Sequence, residues 1–458
     1  MKVRFFIAVL ISMTLMFIVE GAYAQDAQYM EERDEHSGSE PLVISSPTNA
    51  VNLDGLLQIS FENNPRIQAA RAEWEASIQK YPQARSWPDP QLNSNWVNGW
   101  NNPGLEIMQM IPYPEKTRLK GKKAVTMAEI AQLSFEKTVR DELVNLIKSY
   151  YEIGYLNRAI EITSKNHDLF RQIVELGRIK NSEGTLGANE LYAAETRLAQ
   201  SEYELILLED LKQTEISNLR KSLGKDTDFI PGEINLPAAI ITELDLDSLR
   251  KTAKEHRQEL GMAGLSVETA EIELSLARAL TKPDFSVGFM YNWMGKEMTS
   301  GSAPPDDMSS SPEDNYSVTM GISLPIWSGK NRGRINEAKA NLEASKALLK
   351  SQSDSTNEAV DRIYYRVKNL SRLLILYRES IVPQTQNAQQ IAQTLYEAGE
   401  VPFSQLLETR IASQNIEIAG YRAEADYLQA VAELAKILGT PVTGSITGEP
   451  KTAESEVK

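Results

Sequence analysis

Apolar residues along this chain recur at two spacings, one helical and one extended. Val139, Leu143, Leu146, Tyr150, Ile153 and Ile160 step by 4, 3, 4, 3 and 7, and Leu191, Ala194, Leu198, Ser201, Leu205 and Leu208 continue by 3, 4, 3, 4 and 3. Heptad spacing of this kind predicts helices whose seams are covered by supercoiled partners. No proline lies between Pro114 and Pro231, and the residues from about Gly121 are mostly strong helix formers. They predict an antiparallel helical hairpin over 121–224, turned at Gly184-Thr185-Leu186-Gly187. The second half repeats the layout: a hairpin over 330–439, with Pro383 expected to kink its first arm, turns at Gly399-Glu400-Val401-Pro402 and returns through Leu407, Ile411, Gln414, Ile418, Tyr421, Ala425 and Leu428. One offset of 215 aligns Gly184 with Gly399, Leu191 with Leu406 and Gly224 with Gly439, so the chain is an internal duplication.

A shorter helix precedes each hairpin, from Leu53 to near Ala84 and from Leu246 to near Ala279, and each leads into a strand pair, 91–111 and 284–325. In the second pair Phe285, Val287, Phe289, Tyr291 and Trp293, then Tyr316, Val318, Met320, Ile322 and Leu324, alternate with small or polar residues. The first pair is weaker: Leu105, Ile107 and Ile111 alternate with Glu106, Met108 and Met110, and Gln109 interrupts the apolar row. Strands of about ten residues with one apolar, aromatic face match a transmembrane β-barrel, in which lipid covers that face and water the other. The ten residues of the second pair are therefore expected to face lipid. Half of a soluble sandwich would show the same alternation, but four strands are too few for a sandwich or a closed barrel, and open edges cannot lie in lipid. Several chains must pool their strands, two giving 8, three 12 and four 16; a barrel of ~8 is filled by its own side chains, so a duct wants three copies or more. The helix from Gly121 to about Glu183 would reach on the order of 90 Å at ~1.5 Å per residue. Hairpins of that length either ring a tube or bundle into a solid stalk.

Composition narrows the classes. The chain has 458 residues, of which 24% are charged and 41% hydrophobic, which is a globular balance. With 48 Lys+Arg against 63 Asp+Glu and no basic run beyond Lys120–Lys123, it lacks the footprint of a nucleic-acid binder. Cysteine is absent, which excludes disulfides, thiolate chemistry and lipidation on a cysteine, and leaves insertion to the strands. Residues 1–24 read as a signal peptide: Lys2 and Arg4, an apolar run from Phe5 to Val19, and Ala22-Tyr23-Ala24 as the cleavage site. A polar segment, 25–52, precedes the first repeat, 53–243; the second spans 244–440, and 441–458 is a flexible tail.

The export signal, the doubled order of helix, strand pair and long hairpin, the strand exits Ile111-Pro112-Tyr113-Pro114-Glu115-Lys116 and Leu324-Pro325-Ile326-Trp327-Ser328-Gly329-Lys330, and the two turn segments together resemble the TolC family of outer-membrane efflux proteins over roughly residues 53–440. The resemblance implies a mainly α fold with a small β part: a homotrimer with a 12-stranded barrel in the outer membrane of a Gram-negative bacterium and a helical barrel in the periplasm. It implies as partners a periplasmic adaptor and an inner-membrane pump, commonly of the resistance-nodulation-division type, and the basic helix starts are more similar to the heavy-metal and cation branch. By the same resemblance Gly184, Leu186, Gly187 and Leu191, with Gly399, Val401, Ser404 and Leu406, form the tips that meet the adaptor. Glu190, Gln405 and Glu408 fall where relatives carry acidic gate rings, although glutamine replaces one carboxylate and Val401 stands where some relatives carry a gating arginine. A turn needs glycine whether or not anything docks there, and an acidic helix face is often only solvated.

Met108, Met110 and Met290 fall on the inward strand face, where thioethers could touch a soft cation or merely fill space. His36, His167 and His256 show no ligand spacing, and no motif of a nucleophile or phosphate loop is present, so neither an enzyme nor a cofactor is expected. The sequence reading is a passive exit duct for efflux. Its rivals are the outer-membrane part of a type I secretion machine, a periplasmic adaptor and a secreted coiled-coil structural protein.

Overall fold

The computed structural model describes residues 53–97, 102–225, 234–293 and 315–440. The signal segment, residues 25–52, the tail and the tips of both strand pairs lie outside the described residues. In chain order come α1 (Leu53–Asn63), α2 (Pro65–Ile78), α3 (Lys80–Arg85), β1 (Gln91–Val97), β2 (Asn102–Ile111), α4 (Pro114–Ser182) and α5 (Ala188–Leu223). The same order then returns as α6 (Leu246–His256), α7 (Gln258–Ala279), β3 (Asp284–Asn292), β4 (Asn315–Ser323), α8 (Ser328–Leu376), a π-helical turn (Tyr377–Ile381), α9 (Val382–Glu397) and α10 (Phe403–Leu438). The fold is mainly helical with one small antiparallel sheet.

Three features differ from the sequence reading. The first long helix begins at Pro114, not near Gly121; proline suits the first helical position, where its missing N–H costs nothing. The two short helices are not continuous. Pro65 disfavours helix at Asn64, whose side chain instead accepts from the amides of Arg66 (2.8 Å) and Ile67 (3.4 Å) and starts α2 afresh. Arg257 is extended at the equivalent break between α6 and α7. Third, the disturbance expected from Pro383 takes the form of the π turn at Tyr377–Ile381, just before it in the chain.

At 69 residues, α4 is roughly 100 Å long at ~1.5 Å per residue. Heptad spacing predicted one seam, yet Val144, Leu146, Ile147, Tyr151, Ile153 and Leu156 leave the middle of α4 buried nearly all round. The cause is the number of neighbours: α1, α2, α5, α7 and α10 all pack on it. Burial pushes the Tyr151 hydroxyl up to about 12, which marks it as packing rather than acid–base machinery. Across the four long rods the contacts run α5, α4, α10, then α8 and α9. Charged pairs bind the middle two: Lys148 to Glu433 at 3.1 Å and Arg422 to Glu152 at 2.5 Å. The outer rods keep large apolar residues exposed, among them Tyr203 and Ile206 on α5, Leu348 and Tyr365 on α8, and Ile391 on α9.

The duplication is visible where each hairpin ends. Gly224 closes α5 and Gly439 closes α10, both left-handed (φ +61° and +78°), and each seats against the break of its own repeat's short helices. A Cβ on Gly224 would stand 2.2 Å from the Asn63 carbonyl oxygen; one on Gly439 would stand 2.4 Å from that of His256. Around the first junction Ser60 Oγ and Asn64 Nδ2 both donate to the Ser222 carbonyl, at 2.7 and 2.8 Å.

The sheet order is β1-β2-β3-β4, antiparallel throughout, so the two strand pairs join through β2 and β3, with Ile107 opposite Phe289. Within one chain β1 and β4 each pair on one side only.

Candidate functional site

Residues opposite one another in an antiparallel ladder share a face, and the register sorts this sheet completely. Leu92, Ile107, Phe289 and Val318 form one row across it; Leu105, Tyr291 and Tyr316 form a second, Gln109, Val287 and Met320 a third, and Ile111, Phe285 and Ile322 a fourth. All lie on the same face. Between them the rows Gln91, Met108, Gly288 and Thr319, then Asn93, Glu106, Met290 and Ser317, then Met110, Ser286 and Gly321 occupy the other face. The faces agree across all four strands, although Ser94, opposite Leu105, and Gln109 put polar residues in the apolar rows.

Among the described residues nothing covers the apolar face in a single chain: Tyr316 is 72% exposed, Val318 63% and Met320 81%. Trp293 and Leu324, just beyond the strand ends, are exposed too, and the Trp293 and Tyr291 rings meet edge to face at 4.8 Å. Gln109, the polar residue in the apolar row, donates to the carbonyls of Pro88 and Met110, both at 2.8 Å, and so satisfies its amide within the chain. The three methionines lie on the polar face together with Glu106, as the alternation predicted.

Strands and helices are joined by a cluster absent from the sequence reading. Lys116, buried at 4% exposure, reaches Asp284 Oδ1 at 2.8 Å and the Lys282 carbonyl at 2.8 Å, while the Tyr113 amide donates to the same carboxylate oxygen at 2.9 Å. Lys282 pairs with Glu115 and lies over the Tyr113 ring, 4.7 Å from its centre. The start of α4 is thus tied to the start of β3, across the two repeats.

At the far end, both hairpins turn in the same way. Thr185 N–H reaches back to the Lys180 carbonyl and Glu400 N–H to the Leu395 carbonyl, both at 2.9 Å, with left-handed Gly184 (φ +75°) and Gly399 (φ +77°) between. Gly184, Gly187, Gly399 and Ser404 are exposed, and Leu191, Val401 and Leu406 are half-buried. Leu186 is buried in a small core with Val174, Ala194 and Phe403, which places it inside the tip. That core takes residues from both hairpins and is backed by Lys180, which donates to the Tyr396 hydroxyl at 3.0 Å. The two tips of one chain therefore form one body. Glu408 and Gln405 are exposed on the first turns of α10, and Glu190 is half-buried at the start of α5. Phe403→Ala should cost this small core about 3 kcal/mol. The expected result is faster protease cleavage at the two turns with no change in the assembled species, measured by limited proteolysis beside native gels.

Among the described residues no group of His, Asp and Glu is placed to hold a metal ion. His167 shares a 3.0 Å hydrogen bond with Ser201 across the first hairpin, a structural role. A cavity of about 790 Å³ lies between α4, α6, α7 and α8, lined by Lys254, Arg257, Lys346 and Lys350 together with Glu136 and Glu255.

The sequence profile of the family described as outer membrane efflux protein matches residues 56–225 and 249–440. No curated protein matches the chain in sequence. Solved structures share the fold at low identity. The outer membrane protein VceC of Vibrio cholerae superposes with a TM-score of 0.69 at 17% identity, covering 85% of this chain and 96% of that one. The CmeC outer membrane channel of Campylobacter jejuni gives 0.68 at 15%, covering 90% and 92%. CusC, whose structures concern folding and transmembrane channel formation, gives 0.72 at 13%, covering 87% and 96%.

Proposed function

Because this chain belongs to the outer membrane efflux protein family, we propose that it is the exit duct of a tripartite efflux system, set in the outer membrane of a Gram-negative bacterium with its helices in the periplasm. The observation that carries this reading is the sheet: one mainly apolar face, one mainly polar face and two edge strands that pair on one side only within the described chain. Open edges and a bare apolar face are both satisfied if β4 of one copy pairs with β1 of the next and lipid covers the outside. Three copies give 12 strands, enough for a wet lumen lined by the row of Glu106, Met290 and Ser317 and its neighbours. The same closure covers the exposed apolar residues of α5 with those of α8 and α9 on the adjacent copy, continuing the lumen through a helical barrel roughly 100 Å long.

The duct does no chemistry; a pump in the inner membrane, of the resistance-nodulation-division type, supplies the energy through a periplasmic adaptor. The tips meet that adaptor through Gly184, Gly187, Leu191, Gly399, Val401, Ser404 and Leu406. Three copies of Glu190 and Glu408, with Gln405, ring the entrance and favour cations there. The lipid-facing set is Phe285, Val287, Phe289, Tyr291, Trp293, Tyr316, Val318, Met320, Ile322 and Leu324.

The absence of native cysteine makes the test clean. Cysteines placed at Thr185 and Glu400 and bridged between neighbouring copies by a short bis-maleimide should close the entrance. Planar-bilayer conductance should fall to background in the bridged protein and stay normal in the unbridged one. Full conductance with complete bridging would sink the gate at the tips, and absence of conductance in the unbridged protein would sink the duct.

A further inference from the structure

The helix end of the sheet carries a charge that the channel reading leaves unused. The chain as a whole is acidic, with net charge −15, yet residues 114–123 hold five basic side chains against Glu115 alone, and residues 328–334 hold Lys330, Arg332 and Arg334 with no acid. Part of this charge is spent internally: Lys116 is buried on Asp284, Lys122 pairs with Glu268 at 3.3 Å and Lys123 with Glu273 at 2.6 Å. Arg118, Lys120, Lys330 and Arg332 are exposed, Arg334 is half-buried, and none of the five forms an ion pair among the described residues.

Their placement is the second observation. Two and four residues separate the starts of α4 and α8 from the strand ends at Ile111 and Ser323, and the five charges lie within about 10 Å of the two helix starts along the helix axes. Aromatic residues mark the same level. Trp327 is 72% exposed at the start of α8, beside exposed Ile326, and Trp87 is exposed just before β1. Tryptophan prefers the headgroup layer, and long basic side chains lay their stems along apolar surface while their charges reach phosphate.

We propose that the first two turns of α4 and α8, with Trp87 and Trp327, form a collar that binds anionic phospholipid headgroups of the leaflet facing the helices. This rests on the reading of the sheet as membrane-inserted. The occupant is a lipid surface and not a soluble anion, because the five charges spread round two helices at one depth instead of converging on a pocket, and the apolar face of the same sheet begins beside them. Basic residues at a membrane surface gain attraction that falls off within a Debye length, ~8–10 Å at physiological salt, the same order as the two helical turns that carry these charges.

The test places the purified full-length protein in phosphatidylcholine bilayers and exchanges in phosphatidylglycerol or phosphatidylcholine with brominated chains, reading tryptophan quenching. The expected result at low salt is a preference for phosphatidylglycerol on the order of fivefold, lost in high salt. The variant R118Q/K120Q/K330Q/R332Q/R334Q should quench equally with both lipids, and the charge-keeping variant R118K/R332K/R334K should retain the preference. Equal quenching in the unmodified protein, or an undiminished preference in the glutamine variant, overturns the collar while leaving membrane insertion intact. Quenching by neither lipid overturns insertion itself and the collar with it. Inorganic phosphate at matched ionic strength should displace no more lipid than chloride does; stronger displacement would mean a phosphate site and count against a lipid surface.

Discussion

Gly224→Val and Gly439→Val, made singly, should each abolish the assembled channel. Both positions are left-handed, which costs a branched residue about 1–3 kcal/mol before any contact is considered. Here the new side chain must also displace a backbone carbonyl, Asn63 O or His256 O, that lies 2.2 or 2.4 Å from where its first carbon would go. Neither carbonyl can yield cheaply, because each belongs to the break between two packed short helices: α1 and α2 rest on α4, while α6 rests on α8 and α10 and α7 on α4 and α8. The total should pass about 4 kcal/mol, the range of substitutions that unfold domains. The control is Gly184→Ala. It has the same left-handed backbone (φ +75°) but open space around the site, and should cost about 1 kcal/mol. Yield of detergent-purified oligomer and its thermal midpoint measure all three; a Gly224→Val protein that assembles as well as Gly184→Ala would refute the junction as described.

The second large effect separates the two faces of the sheet. Phe289 and Thr319 sit near the middle of adjacent strands, on opposite faces by the register. Phe289→Arg should remove the protein from the membrane fraction. A charge on the lipid side at mid-depth costs about 2–4 kcal/mol per copy, and in the proposed ring every copy carries it. Thr319→Arg, on the polar face, should insert normally and lower cation conductance instead. The pair is decided by membrane fractionation followed by single-channel recording. If Thr319→Arg were the variant lost from the membrane, the assignment of faces would be reversed.

How far the sequence could be read depended on whether a feature was local. Period-two alternation at Phe285 to Trp293 and heptad steps from Val139 are properties of neighbouring residues, and so are the turn glycines at 184 and 399; all reappear in the structure as strand, rod and turn. Pairings between distant residues left no such trace. Nothing near Lys116 in sequence announces Asp284, 168 residues away, and it is this pairing that commits part of the basic helix start to an internal role. In the sequence Phe403 is one more apolar residue after a turn, whereas in the structure it closes a core with Val174 and Leu186 from the other hairpin. The break at Asn64 could have been found, since Asn-Pro is a local helix-start signal; the one at Arg257 could not, because packing against Gly439 and not its own sequence accompanies it. What the tips bind and what passes between them depend on other molecules.

The π turn has a mechanical consequence. Buried residues on the first arm of the second hairpin, Val360, Val367 and Leu374, advance by seven, but the next, Ala392, follows after eighteen. Seven-residue steps wind a rod left-handedly around its neighbours, and the eighteen-residue interval contains the π turn, whose wider i→i+5 bonding interrupts that step. The seven-residue step of buried residues therefore stops at Tyr377–Ile381. A twist passed along this arm meets a change of helical pitch at that turn.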